Sequence, residues 1–163
     1  VVGSPYTHGS RRGVPVALMH MRGEPRTMQR DTRYGDLLGD VLAFLAERAD
    51  RARNAGIPDD KILVDPGIGF GKSAHGNEEI LRQLGSLRTL GLPILVGASR
   101  KSFVGLRTGV FEPERRVSGS AAAAVAAALG GARVVRAHDV RATREALAMA
   151  DAVRRWPEPT GEG

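Results

Sequence analysis

Residues 93–105 read PILVGASRKSFVG, and the fold turns on how this stretch is read. Pro93 to Val96 is a short apolar run rich in branched residues, with a Gly-Leu-Pro turn before it and Gly97 after it, and it has strand length rather than helix length. Ser99, Arg100, Lys101 and Ser102 follow at once, and Phe103 and Val104 begin a short helix. Two hydroxyls, a guanidinium and an ammonium at the junction of a buried strand and a helix N-terminus make an anion site.

The same unit recurs on either side. Val16 to Met19 is a strand ending at His20, and Met21 to Gln29, with Gly23 and Pro25, is a loop. Asp36 to Arg53 sets Leu37, Leu38, Val41, Leu42, Leu45, Ala49 and Ala52 on one helical stripe, with Gly56 as its stop. Lys61 to Val64 is a strand that runs into the glycine-rich loop Asp65 to Lys72. Asn77 to Leu90 is helical and Gly91 ends it, and Pro113 to Leu129 is helical with an alanine run of high propensity. Arg133 to Ala137 is the last strand and Thr143 to Arg155 the last helix, capped by Thr143.

Strand followed by helix, four times over, makes neighbouring strands parallel, because each connection is a long crossover. In such α/β sheets the working groups lie in the loops after the strands' carboxyl ends. Those loops hold His20, then Asp65, then Ser99 to Ser102, then Arg136, His138 and Asp139. One shared site on one face of the sheet is the expectation. Four units do not close a (β/α)₈ barrel, which needs eight and about 250 residues. The sheet is therefore expected to be either an open one or the second half of a barrel. Residues 14–156 form this domain, Val1 to Gly13 reads as an irregular leader, and residues 157–163 read as a disordered tail.

Composition narrows the class. The 163 residues are 42% hydrophobic and 26% charged, ordinary for a globular chain. No run is long enough to span a membrane and no signal peptide is recognisable, so the cytoplasm is the expected compartment. Cysteine is absent, which excludes disulfides and thiolate metal sites but leaves room for a hard cation on oxygen ligands. The net charge of +6 comes mostly from arginine, yet aromatics are only 4% of the chain, and no basic stripe is interleaved with rings that could stack on bases. Nucleic acid is not the expected partner, and small anionic ligands suit the charge better.

The site residues can be weighed one by one. Asp65, before the donor-less Pro66, either initiates a turn or accepts two parallel hydrogen bonds from an amidine-like edge. Gly67, Gly69 and Gly71 match neither a Walker sequence nor a dinucleotide fingerprint. They give the backbone room to pass a flat ligand, with Phe70 as an apolar wall. Adjacent Arg100 and Lys101 point in different directions, so one of them can face the site. Arg136 and His138, two apart on an extended segment, can both donate to phosphate oxygens. His20 has no such partner nearby in sequence, and His8 and His75 have less still.

Taken together, ALMHMRGEPRTMQ, ILVDPGIGFGKSAHGNEEILRQL, GLPILVGASRKSFVG, ERRVSGSAAAA and VVRAHDV resemble the carboxyl-terminal half of the dihydropteroate synthases, pterin-binding enzymes of folate biosynthesis that sulfonamides inhibit. The resemblance runs from about Val16 to Val153. It implies a (β/α)₈ barrel, here its last four units, and a transferase that joins 6-hydroxymethyl-7,8-dihydropterin diphosphate to p-aminobenzoate with loss of pyrophosphate. It also implies Mg²⁺ held by the first half rather than by this chain, and a homodimer when complete. By position, Asp65 matches the pterin-binding aspartate, and Lys101 the lysine between pterin and p-aminobenzoate. Ser102 matches the contact to the p-aminobenzoate carboxylate, Phe70 the pocket wall, and Arg136 and His138 the groups on the ring face and diphosphate. Met19 is similar to a pterin-pocket residue, and Gly97, Ser99 and Arg100 line the same site. Lys101, Arg136 and His138 are the catalytic candidates. Two departures stand out: His75-Gly76-Asn77 replaces the family's His-Asn, and the family's amino-terminal motifs are not among these residues. A truncated or divergent paralogue that binds without turnover is the alternative, while a pterin-binding methyltransferase does not suit Ser99 to Ser102.

Overall fold

Four short parallel strands carry the site, and their order follows the chain. In the computed structural model, which describes residues 14–154 except Pro25, β1 (Val16–Met19) pairs with β2 (Ile62–Asp65), with Val16 opposite Ile62 and Met19 opposite Asp65. β3 (Leu95–Val96) pairs with β4 (Val134–Val135), Leu95 opposite Val134. A parallel bridge from Val64 to Ile94 joins the two pairs, so the order is β1-β2-β3-β4. The leader expected at residues 1–13, the tail at 157–163 and the final residue of the last helix, Arg155, lie outside the described residues.

Side chains alternate across this sheet, and the two faces have different fates. Leu18, Ile62, Val64, Ile94 and Val96 point one way and are all under 9% exposed, packed in one core with α1 (Leu37–Asn54). Ala17, Leu63, Leu95 and Val134 form a row on the other face. None of these four is buried, and Val134 is 39% exposed. Helices therefore cover only one face of the described sheet.

The helix α1 begins where sequence places it, because the Asp36 carboxylate caps it by accepting from Gly39 N at 2.9 Å. Val41, Leu45, Ala49 and Ala52 on its inner stripe are at most 1% exposed. The next helical stretch differs from the expected Asn77–Leu90. α2 runs Ala74–Arg82, started by the Ser73 hydroxyl accepting from Gly76 N, and Leu84–Leu90 is a 3₁₀ helix. Leu84, Leu87 and Leu90 recur every third residue, which a 3₁₀ turn keeps on one face and an α-helix does not. The strand expected over Pro93–Val96 is paired only from Ile94, and that over Arg133–Ala137 shortens to Val134–Val135.

After α3 (Ser102–Thr108) the expected Pro113–Leu129 helix is divided. Pro113–Arg115 is 3₁₀ and α4 spans Val117–Leu129. The break at Arg116 turns its guanidinium inward, where it donates to Val110 O at 2.9 Å, to Arg100 O at 2.8 Å and to Phe111 O. α5 runs Val140–Arg154 and begins three residues before Thr143. Thr143 is a buried first-turn residue whose N–H donates to Asp139 O, and so it is not the cap.

Arg116 is 9% exposed and serves three carbonyls that have left regular structure. Replacing it with Leu leaves them without this donor, at about 1 to 3 kcal/mol for each that stays buried, and the carbonyl of Phe111, a residue 67% exposed, can turn to water. Urea unfolding of Arg116→Leu is expected to show a loss of roughly 2 to 4 kcal/mol, and a loss under about 0.5 kcal/mol would show that the staple carries no stability.

Candidate active site

All four strand-end loops meet at one end of the sheet. Asp65, the last residue of β2, is 2% exposed. Its Oδ1 accepts from Gly67 N at 2.8 Å and its Oδ2 lies 3.5 Å from Arg136 Nη2. Burial pushes this carboxyl up, against the Gly67 N–H and then the charges of Arg136, Lys72 and Lys101, which pull it down. Arg136 reaches Asp65 because Gly97 leaves its path bare, a Cβ there lying 2.8 Å from Arg136 Nη2. Met19 stands beside Asp65 in register.

Lys101 Nζ sits 3.9 Å from the centroid of the Phe70 ring, a cation held on a π face. Burial first, then the Arg136 charge, lower its pKa, and Asp65 opposes them. Lys101 takes this direction because Arg100 takes the other. Arg100 has φ of 59°, a left-handed conformation that costs a non-glycine residue about 1 to 3 kcal/mol. Three contacts enforce it: its N–H donates to Ser120 Oγ at 2.9 Å, its carbonyl accepts from Arg116, and its guanidinium grips both oxygens of Asp139 at 2.7 and 3.1 Å. Arg100 is thus committed to the β4 loop rather than to an open pocket.

Ser99 makes the second link between those loops. Its Oγ accepts from His138 N at 3.1 Å and lies 3.1 Å from His138 Nδ1. A hydroxyl donating to Nδ1 leaves the Nε2–H of His138 for a ligand oxygen. Ser102 opens α3 and is exposed. The sequence-predicted Asp65, Phe70, Gly97, Lys101 and Arg136 come together, Met19 flanks them, and Ser99, Arg100 and His138 tie the loops after β3 and β4 to each other.

Sequence reasoning passed over Lys72, Asn77, Gln29 and Tyr34, which hold the glycine loop, and gave His20 and Asp139 no partner. Lys72, 3% exposed, donates to Gly67 O and Phe70 O at 3.0 Å and lies 2.9 Å from His20 Nδ1. His20 therefore has a partner 52 positions away, a distance at which no sequence pattern signals pairing. Asn77 accepts from Gly69 N at 2.7 Å, and Asp139 holds Arg100. Gln29 and Tyr34 donate to Gly69 O and Gly71 O, each at 2.9 Å. At Gly67, φ is +70° and a Cβ would lie 1.9 Å from His20 O, so only glycine fits the turn.

The end of the sheet carries Lys72, Lys101 and Arg136 against one carboxylate, Asp65, a balance suited to an anionic ligand. Among the described residues no group of three His, Asp or Glu could hold a metal ion, and the cations around Asp65 disfavour one there. A cavity of about 460 Å³ lies elsewhere, along the free edge of β1 beside Phe44 and Arg48, and Met19 is the only predicted site residue lining it.

Residues 8–138 match the family described as pterin binding enzyme. A dihydropteroate synthase of Synechocystis is 48% identical over 141 residues, which cover 86% of this chain and 49% of that protein. The crystal structure of dihydropteroate synthase from Stenotrophomonas maltophilia, with imidazole bound in its active site, superposes with a TM-score of 0.90 at 42% identity, covering 94% of this chain and 58% of that one. The Thermus thermophilus enzyme, solved in complex with 6HMPPP and also with 4-aminobenzoate, gives a TM-score of 0.86 at 44% identity over 91% of this chain, covering 59% and 60% of those chains. The chain spans about half the length of the curated relatives it matches.

Burial, then the charges of Lys72 and Arg22, lower the pKa of His20 from 6.5 to about 4. Between these values the unfolded chain binds a proton that the folded one refuses, so this contribution is present above pH 6.5 and is lost as pH falls through about 4. From neutral pH to about pH 4 wild type is expected to lose roughly 2 to 3 kcal/mol more stability than His20→Asn, which keeps an acceptor for Lys72 but does not titrate. Parallel urea-unfolding profiles for the two proteins would refute this.

Proposed function

The chain belongs to the pterin binding enzyme family, and from that premise we propose that it supplies the last four β/α units of a dihydropteroate synthase barrel. The half-barrel reading is supported by the uncovered row of Ala17, Leu63, Leu95 and Val134, the kind of inward-facing apolar layer that fills a closed barrel. The observation that carries the function is the buried Asp65 ringed by Arg136, Lys72 and Lys101 on the loops that end β2, β3 and β4.

In the proposed reaction Asp65 takes the pyrimidine edge of the pterin with its Oδ2, whose contact to Arg136 Nη2 is long at 3.5 Å, while Oδ1 is engaged by Gly67 N at 2.8 Å. Lys101, over Phe70, stands between the pterin and the p-aminobenzoate ring. The arylamine nitrogen attacks the pterin methylene carbon as the bond to the diphosphate oxygen breaks, and the amine proton leaves to solvent. A neutral arylamine is already nucleophilic, so the residues work by placing the reactants and stabilising charge. Arg136 and the Nε2–H of His138 receive charge developing on the diphosphate. Ser102, at the start of α3, meets the carboxylate of p-aminobenzoate, whose place a sulfonamide would take.

Magnesium enters this proposal only as an ion held by the first half, as the family resemblance implies, and no step here runs through it. A homodimer and a cytoplasmic setting belong to the same proposal; among the described residues no helix is long and apolar enough to cross a membrane. No feature of the site favours a paralogue that binds without turnover.

The test is reconstitution. The 163-residue chain is expected to show no synthase turnover alone, because half the contacts to the pterin are missing, and to gain it when a first half from a relative is supplied. Turnover by the lone chain equal to that of the pair would overturn the half-barrel reading, and a pair that binds no pterin diphosphate would overturn the function.

In the reconstituted pair, Asp65→Ala and Lys101→Ala are each expected to weaken pterin binding by about 1 to 3 kcal/mol in calorimetry. Ser102→Ala should raise KM for p-aminobenzoate more than KM for the pterin diphosphate, since only the arylamine carries a carboxylate. Equal changes in both constants would show that the substrates do not divide the site in this way.

A further inference from the structure

We propose that Lys72 is a positioning residue, whose ammonium sets the curve of the glycine loop, and with it the Phe70 ring under Lys101, by donating at once to Gly67 O, Phe70 O and His20 Nδ1. The geometry stands apart from any substrate; only its consequence for pterin binding rests on the function proposed above.

An ammonium has three N–H donors and no lone pair. Lys72 is 3% exposed, and three acceptors surround its Nζ, at 3.0, 3.0 and 2.9 Å. Two of them are the first and last carbonyls of a turn that Phe70 N closes onto Gly67 O at 3.1 Å. Lys72 therefore clamps the turn from inside and ties it to His20 in the loop after β1. Gln29 and Tyr34 hold the loop's outer carbonyls and Asn77 holds Gly69 N, so the turn is fixed on both sides. The ring of Phe70 leaves this turn to lie 3.9 Å from Lys101 Nζ.

Among the described residues no salt bridge joins a carboxylate to Lys72, and Asp65 acts on it through its charge. A buried ammonium held by neutral acceptors is expensive, and an apolar side chain of similar shape would serve stability better. What the ammonium adds is the count of donors. A neutral amine has two N–H groups and one lone pair, so it releases one of the three acceptors unless His20 moves its ring proton to Nδ1 and donates it to the amine. The clamp thus depends on the protonation of Lys72. Burial supports this by lowering its pKa from 10.5 to about 8, Asp65 opposing.

The groups that face or surround Lys72 are His20 from the loop after β1, Asp65 from β2, and, acting on those two by charge, Arg22, Lys101 and Arg136. His20, with its pKa at about 4, is neutral throughout the alkaline range, and Asp65 is pushed up by burial while the Gly67 N–H and the surrounding cations pull it down. Two neighbours also titrate in the alkaline range: Lys101, which a Lys101→Met background removes, and Tyr34, whose hydroxyl donates to Gly71 O and which burial raises above its ordinary value, away from the range of Lys72.

Hydrogen exchange by mass spectrometry over residues 66–72 of the full chain, corrected for intrinsic exchange, reads the clamp directly. In wild type and in Lys101→Met, protection of the loop amides is expected to fall about tenfold with a midpoint near pH 8. In Lys72→Met protection should be low at every pH, and in Lys72→Arg, which stays charged, the midpoint should vanish. If Lys72→Met does not fold, the wild-type profile and Lys72→Arg decide. A flat wild-type profile, or a midpoint that survives in Lys72→Arg, overturns the proposal. In the reconstituted pair, pterin diphosphate affinity should fall with the same midpoint in wild type. A midpoint in the loop without pterin binding would sink the proposed function and leave the role of Lys72 standing. Pterin binding with no midpoint in the loop would do the reverse.

Discussion

A carboxylate buried at the end of a strand must be matched by positive charge, and Asp65 meets that constraint with groups drawn from its own loop and two others. Arg136 comes from the end of β4, Lys101 from the loop after β3, and Lys72 from its own glycine loop. A lone ionised carboxylate in such a place would be driven to its neutral form. Placing all three cations near it requires the strands to be parallel and to end together, which is what four successive β/α units impose. The site is thus a consequence of topology before it is a consequence of any one residue. The cations in turn need spacing among themselves, and the bare backbone at Gly97 and the Phe70 ring supply it.

The second constraint is that neighbouring loops must keep their mutual position without regular structure. The loops after β3 and β4 are joined by Arg100 with Asp139 and by Ser99 with His138, and Arg116 and Ser120 hold Arg100 in its left-handed turn. The pair of Arg100 and Asp139 is partly buried, with side chains 27% and 19% exposed, and it is bidentate, the geometry in which an ion pair adds orientation as well as energy. The three contacts on Arg100 and the two between Ser99 and His138 set where Lys101 and the ring of His138 stand. The catalytic candidates are fixed by residues that need not touch a ligand.

What the sequence made legible was whatever has a period or a boundary. The stripe from Leu37 to Ala52, the strand at Val16 to Met19 and the glycine loop each carry their own local signal, and each is where it was expected. The polar residues after the strands were legible because α/β topology sends strand ends to one face. The directions of side chains were not. Arg100 and Lys101 are adjacent and alike in charge, and only the φ of Arg100, set by Arg116 and Ser120, decides which one faces Phe70. Thr143 looked like a cap because a hydroxyl before a helical run usually is one, yet Asp139 starts the turn while its side chain holds Arg100. Lys72 and His20 lie 52 positions apart, and their pairing follows from the β1 to β2 register, which no local pattern encodes.

Lys72 also shows stability and site geometry pulling in opposite directions. Its folded pKa of about 8 lies below the ordinary 10.5, so from about 8 to 10.5 the unfolded chain holds a proton that the folded chain has released. Stability from this group therefore rises with pH across that window and is lost as pH falls through about 8. At neutral pH the chain carries the full cost of a buried ammonium. That same ammonium is the only form of Lys72 with enough donors for Gly67 O, Phe70 O and His20 Nδ1 together. A residue kept for stability would be apolar here, whereas one kept for the shape of the glycine loop must stay charged. The fold accepts the less stable choice at the place where Phe70 and Lys101 must meet.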